Sequence, residues 1–318
     1  MVKTGGAIRP QPGKVASFGK RVKKDFKKNW VVYLMVLPVV VFYIMFHYIP
    51  MYGAQIAFRN FRPIQGIWGS DWVGLEHLTR FFQGPFFFRL MRNTFMLNVH
   101  LLFWGFPAPI ILALLMNEVR VQKFKRTVQT ITYMPFFISA MVVAGIIMDF
   151  TLSTGIINDI IVFFGGSRRN LLADPSLFRP IFVIQSIWQN AGWGTIVYLA
   201  ALAGIDEEQY EAAMIDGAGR FRRIFSITIP GILPTIVIML ILRMGSMMTI
   251  GFEMILLLYQ PATYETADVI STYVYRVGLL QANFSFATAV GLFNSVLNFA
   301  LIVMANAISK RVNETSLW

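Results

Sequence analysis

The chain of 318 residues has no cysteine, so disulfides, cysteine–zinc sites and cysteine nucleophiles are all excluded. Histidine is almost as scarce: His47, His77 and His100 leave little for a metal site. Charge is thin at 14% of residues, against about 25% in an average soluble domain. Phosphate loops of the Gly-x-x-x-x-Gly-Lys-Ser/Thr type are missing, since Gly13-Lys14 and Gly19-Lys20 are followed by Val and Arg. Neither His-Glu-x-x-His, Gly-x-Ser-x-Gly nor Gly-x-Gly-x-x-Gly occurs. Internal repeats are absent too, and intramembrane acids are few, Asp149 and Glu253 being the candidates. A carrier coupled to protons or sodium usually shows more intramembrane charge or inverted repeats. The chain thus has no visible energy source of its own.

What fills the gap is apolar: 56% hydrophobic residues, with 29 Phe and 17 Met. A water-soluble core of this size does not hide so much apolar surface, which excludes disorder and an ordinary soluble enzyme. A crossing helix needs about 20 mostly apolar residues. Runs free of Asp, Glu, Lys and Arg cover 29–58, 93–117, 127–148, 180–205 and 277–309, and 224–264 is broken only by Arg243 and Glu253. Only helices satisfy their own backbone in lipid. The expectation is therefore an all-α integral membrane protein with six spans, near 30–49, 93–116, 130–150, 178–202, 229–257 and 284–308.

Lys and Arg set the orientation. The tail 1–29 carries nine, segment 117–130 four, 204–228 three and 309–318 two. The opposite loops 50–92, 151–177 and 259–283 carry five, two and one. Both termini are expected in the cytoplasm, with a basic tail over 1–29 and a short tail over 309–318. The net charge of +12 reads as topology signal rather than as a nucleic-acid surface. The first apolar run is long enough to span and has no small-x-small cleavage site after it, so no cleaved signal peptide is expected. The loop 50–92 is aromatic, with Phe58, Trp68, Trp72, Phe81, Phe82 and Phe86–Phe88 among Gly and Pro. It reads as an interfacial belt or as a docking surface for an external partner.

Between spans four and five the segment 204–228 interrupts the apolar pattern. Asp206 is a good N-cap with Gln209 three residues on, as in a capping box, and Glu207 and Glu208 favour the positive end of a helix. Tyr210, Ala213, Met214 and Gly217 share one face. Gly217 and Gly219 permit a turn, and Arg220, Arg222 and Arg223 follow before Pro230 opens the next span. A short helix of small residues standing off the bilayer can enter a cleft on another protein; an ordinary interfacial helix reads the same way.

The spacing Glu211-Ala212-Ala213, three residues, Gly217, nine residues, Ile227, one residue, Ile229-Pro230 resembles the EAA signature of binding-protein-dependent ABC importer permeases. Ile229 stands where that pattern usually has Leu. Lys28-Asn29-Trp30, Asn93-Thr94, Tyr133-Met134-Pro135, Trp188 with Gly192-Trp193, and Tyr198 to Leu202 resemble the carbohydrate subfamily, in particular its LplB-like oligosaccharide permeases. The resemblance implies a type I importer (MetI-like) fold and a non-catalytic transport subunit in a bacterial cell membrane. The partners it implies are a second, different permease chain, two ATPase subunits and an extracellular solute-binding protein that delivers an oligosaccharide. ATP and Mg would sit on the ATPase subunits, and this chain would bind no cofactor and no metal. The coupling residues it implies are Glu211, Ala212, Ala213, Asp216, Gly217, Ile227 and Pro230. Import of an amino acid, peptide or polyamine is the alternative.

Sugars need polar side chains for hydroxyls and aromatic faces for C–H surfaces, and such groups are costly in lipid unless they face a wet cavity or a partner. Gln185, Trp188, Gln189 and Trp193 of span four, Glu253 of span five, and Asn294 and Asn298 of span six are the candidate pathway residues. Each is equally readable as helix-packing glue. Arg243, the one base in mid-helix, has no partner assignable from the sequence.

Overall fold

The computed structural model describes residues 18–248 and 251–313. The beginning of the expected basic tail and the end of the C-terminal tail lie outside these residues. The architecture is helical, with one departure from an all-α chain: a small hairpin in the loop after the first helix.

The described residues up to Gln55 form one compact unit and those from Ile56 onward a second. In the first, α1 (Phe18–Tyr43) bends at Asn29, whose backbone leaves helical geometry, and contains Pro38. A π-helical turn follows over Ile44–Tyr48. Such a turn inside a long apolar helix is one of the recognised causes of bending. Asp25 accepts hydrogen bonds from Asn29 Nδ2 and Tyr33 Oη at 2.8 and 2.6 Å, so the polar end of this apolar helix satisfies itself locally.

The second unit begins with strands β1 (Arg59–Arg62) and β2 (Ser70–Trp72), antiparallel with Arg59 opposite Trp72. Helix α2 (Glu76–Phe82) follows. Here the aromatic loop divides. Phe81 is buried with Leu90, Ile270, Phe286 and Val290, whereas Trp68, Trp72, Phe86 and Phe88 stay exposed.

Helices α3 (Phe87–His100) and α4 (Pro107–Glu118) run on through a π-helical turn as one apolar stretch, Phe87–Glu118. The expected third span, 130–150, is not one helix. Helix α5 (Gln122–Tyr133) ends in a 3-10 turn at Met134–Phe137, and the chain restarts at Ser139, whose side chain caps α6 (Ala140–Thr151). Pro135 explains the interruption, since it has no N–H to donate to a helix ladder. Helix α7 (Ile156–Phe163) extends the apolar stretch to Ala140–Phe163.

Helix α8 (Pro175–Leu202) is the spine of this unit, packing against α4, α5, α6's approach turn and the later helices. Asp174 caps it, accepting from Ser176 N at 2.9 Å and Ser176 Oγ at 2.6 Å, with Pro175 at the first helical position. These bonds hold the Asp174 carboxyl below its ordinary pKa. Gly192 marks where α8 crosses α5: a Cβ there would sit 2.0 Å from the Thr132 carbonyl oxygen. Small residues are what allow helix backbones to approach this closely.

Helix α9 (Glu207–Ile215) precedes α10 (Ile229–Gly245), which continues from Arg220 through a π-helical turn at Ile224–Thr228. The expected single span 229–257 is broken. Helix α10 stops at Gly245, and α11 (Phe252–Leu258) restarts from Gly251. Helix α12 (Ile270–Tyr275) and the long α13 (Phe284–Asn313) complete the chain.

Among the described residues, five helices are long and apolar enough to cross a membrane: Asp25–Phe58, Phe87–Glu118, Ala140–Phe163, Arg220–Gly245 and Phe284–Lys310. Six were expected, and α8 is the one outside this set. Its 28 residues reach about 42 Å, ample for a crossing. Its hydropathy is diluted by Arg179, Gln185, Gln189 and Asn190; Arg179 and Gln189 bond to groups on other segments and Gln185 to Gln189, while Asn190 is exposed.

Candidate functional site

Two places concentrate polar groups against this apolar background. One is the connection between α8 and α10. Asp206 accepts from Glu208 N at 3.1 Å and so caps α9 from one side; Gln209 contributes only a backbone N–H to the Asp206 carbonyl, so the expected reciprocal box is a single cap. At the other end Gly217 has φ +76°, and Ala218 N and Gly217 N bond back to the carbonyls of Ala213 and Met214 at 2.8 and 3.1 Å. This is the Schellman closure, and it requires a residue tolerant of left-handed backbone at Gly217.

No residue of α9 is buried. Glu211, Ala212 and Asp216 are exposed, Ala213 is half-buried, and Ile215 and Phe221 are 87% and 80% exposed. The element is nevertheless tied to the helix that follows. Tyr210 Oη and Thr228 Oγ1 lie 3.0 Å apart, and Thr228 is buried. Ile205 packs onto Gly231 and joins the cluster of Ala113, Tyr198, Leu202 and Ile232. Ile227 sits half-buried in the π-helical turn, and Pro230 opens α10. The expected coupling residues thus form one exposed projection with a short, stiff root. Tyr210 is legible as part of one helix face, but Thr228 is not, and the 18-residue spacing between them carries no sequence signal.

The second place is a cavity of about 550 Å³ between α4, α8, α10 and α11. Its polar lining is Gln185, Ser186, Gln189 and Asn190 from α8, with Arg243 and Ser246 from the end of α10. Of the seven candidate pathway residues, Gln185 and Gln189 are here. Gln185 Nε2 donates to Gln189 Oε1 at 2.6 Å, and Gln189 Nε2 donates to the Ile138 carbonyl at 3.1 Å, a group freed by the break before α6.

The other five lie elsewhere. Asn298 Oδ1 accepts from Met248 N at 2.9 Å, and Asn294 Nδ2 donates to the Met248 carbonyl at 3.3 Å. This i, i+4 pair therefore satisfies both backbone groups of one residue in the break between α10 and α11. A backbone opened at membrane depth must find such partners inside the protein. Trp193 stacks on Phe136 at 4.7 Å and 4°, covering the 3-10 turn after α5. Trp188 is half-exposed and lines a smaller, apolar cavity of about 320 Å³ with Ile146, Phe150, Ile157 and Ile184. Glu253 is exposed and lines neither cavity.

A third polar cluster had no forewarning in the sequence. Asp268 is fully buried and accepts from Arg276 Nη2 and Nη1 at 2.6 and 3.2 Å, from Thr272 Oγ1 at 2.9 Å and from Arg89 Nη2 at 3.4 Å. Asn93 donates to the Asp268 carbonyl and accepts from Arg179, and Thr94 Oγ1 accepts from Ile270 N. Burial alone would pull the Arg276 guanidinium down, but hydrogen bonds and charge from Asp268 outweigh it and raise the pKa. Helices α3 and α8 are thereby clamped to the 264–276 segment. Among the described residues, no group of three or more His, Cys, Asp or Glu is placed to hold a metal ion.

Residues 105–314 of the chain, which include this exposed helix and the bundle it is rooted in, match a known family, the binding-protein-dependent transport system inner membrane component. The chain belongs to this family. It is a multi-pass membrane protein and a transport component rather than a catalyst. The permease is 47% identical to protein LplB of Bacillus subtilis strain 168, over 96% of this chain and 95% of LplB. It is 45% identical to the polygalacturonan/rhamnogalacturonan transport system permease protein YteP of the same strain, over 94% of each. A permease chain in the crystal structure of a bacterial ABC transporter involved in import of the acidic polysaccharide alginate superposes with a TM-score of 0.86. The two are 44% identical, covering 92% of this chain and 99% of that one. A second structure, of the alginate transporter in complex with alginate pentasaccharide-bound periplasmic protein, gives a TM-score of 0.87 at 43% identity over 93% and 100%.

Proposed function

We propose that this permease moves an oligosaccharide, delivered by an extracellular solute-binding protein, across a bacterial cytoplasmic membrane in an ATP-driven importer. The saccharide functions in the names of YteP and the alginate transporter support this reading over an amino acid, peptide or polyamine. Helix α8 serves as the sixth span, and both termini face the cytoplasm, as the Lys and Arg distribution favours. A second permease completes the pathway. Two ATPase subunits bind ATP and Mg, and this chain holds neither.

The observation that carries the mechanism is the exposed helix Glu207–Ile215, closed by Gly217 and fastened through Tyr210 to Thr228. Seated in a groove of an ATPase subunit, it is pushed when that subunit closes on its twin. The push reaches α10 over one hydrogen bond and one packed contact, Ile205 on Gly231, so motion enters the bilayer with little slack. Glu211, Ala212 and Ala213 form the contact face, Asp216 and Gly217 the elbow, and Ile227 and Pro230 the hinge into α10.

Gly217→Asp and Glu211→Lys are expected to abolish uptake while the protein still inserts at normal levels. Normal uptake by both variants would refute the coupling role. Uptake is further expected to vanish without the ATPase subunits and to survive collapse of the proton gradient.

A further inference from the structure

The large cavity contains a charge that no acid among the described residues pairs with. Arg243 lines it, and every other polar residue of the lining is an amide or a hydroxyl. Among the described residues, Arg243 enters none of the ion pairs, which belong to Asp159, Asp174 and Asp268. Asp149 and Glu253, the acids of the flanking membrane segments, are both exposed and line no part of this cavity. A guanidinium at the end of a helix apolar enough to cross a membrane is costly unless water or an anion meets it.

Neutral sugar hydroxyls are adequately served by Gln185, Gln189, Asn190 and the serines. For a neutral ligand, a desolvated cation in the same space is a penalty with no return. For an anionic ligand it is the natural counter-charge, and the planar fork of arginine matches a carboxylate with two parallel hydrogen bonds. Half-buried Phe106 lines the same space and supplies apolar surface for the C–H side of a sugar ring. The volume suits one or two sugar units rather than a bare ion.

We infer that Arg243 is a binding residue for the carboxylate of a uronic-acid unit, and that the oligosaccharide carried by this permease is acidic. The inference rests on the saccharide-import reading above and assigns the charge of the substrate to one residue of this chain.

The test uses the complete complex, with its ATPase subunits and binding protein, in proteoliposomes. The probes are a radiolabelled trigalacturonate and its carboxyl-reduced, neutral counterpart. Arg243→Gln is expected to slow uptake of trigalacturonate by about tenfold or more, as for loss of a charge-assisted contact. Arg243→Lys, which keeps the charge but loses the planar fork, should retain more trigalacturonate uptake than Arg243→Gln and less than wild type, and the neutral sugar, where carried, should be affected less than about twofold by either change. Equal slowing of both sugars, or unchanged trigalacturonate uptake in Arg243→Gln, overturns the inference. So does a wild-type complex that carries only the neutral sugar, which leaves saccharide import standing. A wild-type complex that carries neither removes the saccharide reading itself. Should Arg243→Gln fail to assemble, Arg243→Lys decides: an assembled Lys variant that slows trigalacturonate and the neutral sugar by the same factor, or slows neither, overturns the inference.

Discussion

The two ends of α10 are built on opposite plans. Before it, residues 205–231 are held by contacts between near neighbours: a cap two residues away, a Schellman closure over five, and a tyrosine–threonine bond across 18. After it, the break at Met248 is held by Asn298 and Asn294, 50 and 46 residues further on. Gln189 reaches 51 residues back to Ile138 in the same manner. The first region exposes its motif and ties its root to the next helix, as the proposed coupling role requires. The second opens the helix backbone inside the protein and secures it with side chains from other helices.

The contrast can be broken most severely at the clamp that holds the distal segments together. Asp268→Ala leaves Arg276 and Arg89 without their shared carboxylate and should cost about 3 kcal/mol or more. A lowered melting temperature of the purified complex would report it; an unchanged one would mean that the guanidiniums find other partners.

A smaller effect separates glue from pathway. Asn298→Ala removes the acceptor of the Met248 N–H, a buried group, and should cost about 1–3 kcal/mol. If Asn298 only braces the break, stability falls while the KM for the saccharide holds in whatever fraction remains folded. A variant of normal stability with a raised KM would return Asn298 to the substrate pathway.

The smallest expected change is in the coupling root. Tyr210→Phe loses one hydrogen bond, about 1 kcal/mol. The informative readout is the ratio of saccharide transported to ATP hydrolysed, which should drop while ATPase activity persists. Equal ratios in variant and wild type would show that the Ile205–Gly231 contact transmits the motion by itself.

How far the chain could be read in advance follows the same division. The EAA spacing, the cap at Asp206 and the elbow at Gly217 were legible because they are written in consecutive residues. The polar residues of the membrane helices were legible as exceptional but not as to purpose. Asn294 and Asn298 looked like a sugar-binding pair one turn apart, and the same spacing lets them grip both sides of Met248. Trp193, a candidate for the pathway, stacks on Phe136 and keeps 41% of its surface exposed. Asp268 drew no notice, since a lone acid in a loop resembles any solvated one until its three donors are seen.

Apolar runs, basic flanks and one contiguous motif were enough to define a helical membrane permease and the exposed helix between two of its spans. All three are local properties: periodicity, charge and spacing act between neighbours along the chain. Where the helices at Pro135 and Gly245 come apart, which amide closes each opening, and which charge is left facing the cavity were decided only on folding. A polar side chain in an apolar setting takes whatever partner the packing brings within about 3 Å, and here that partner is often some fifty residues away.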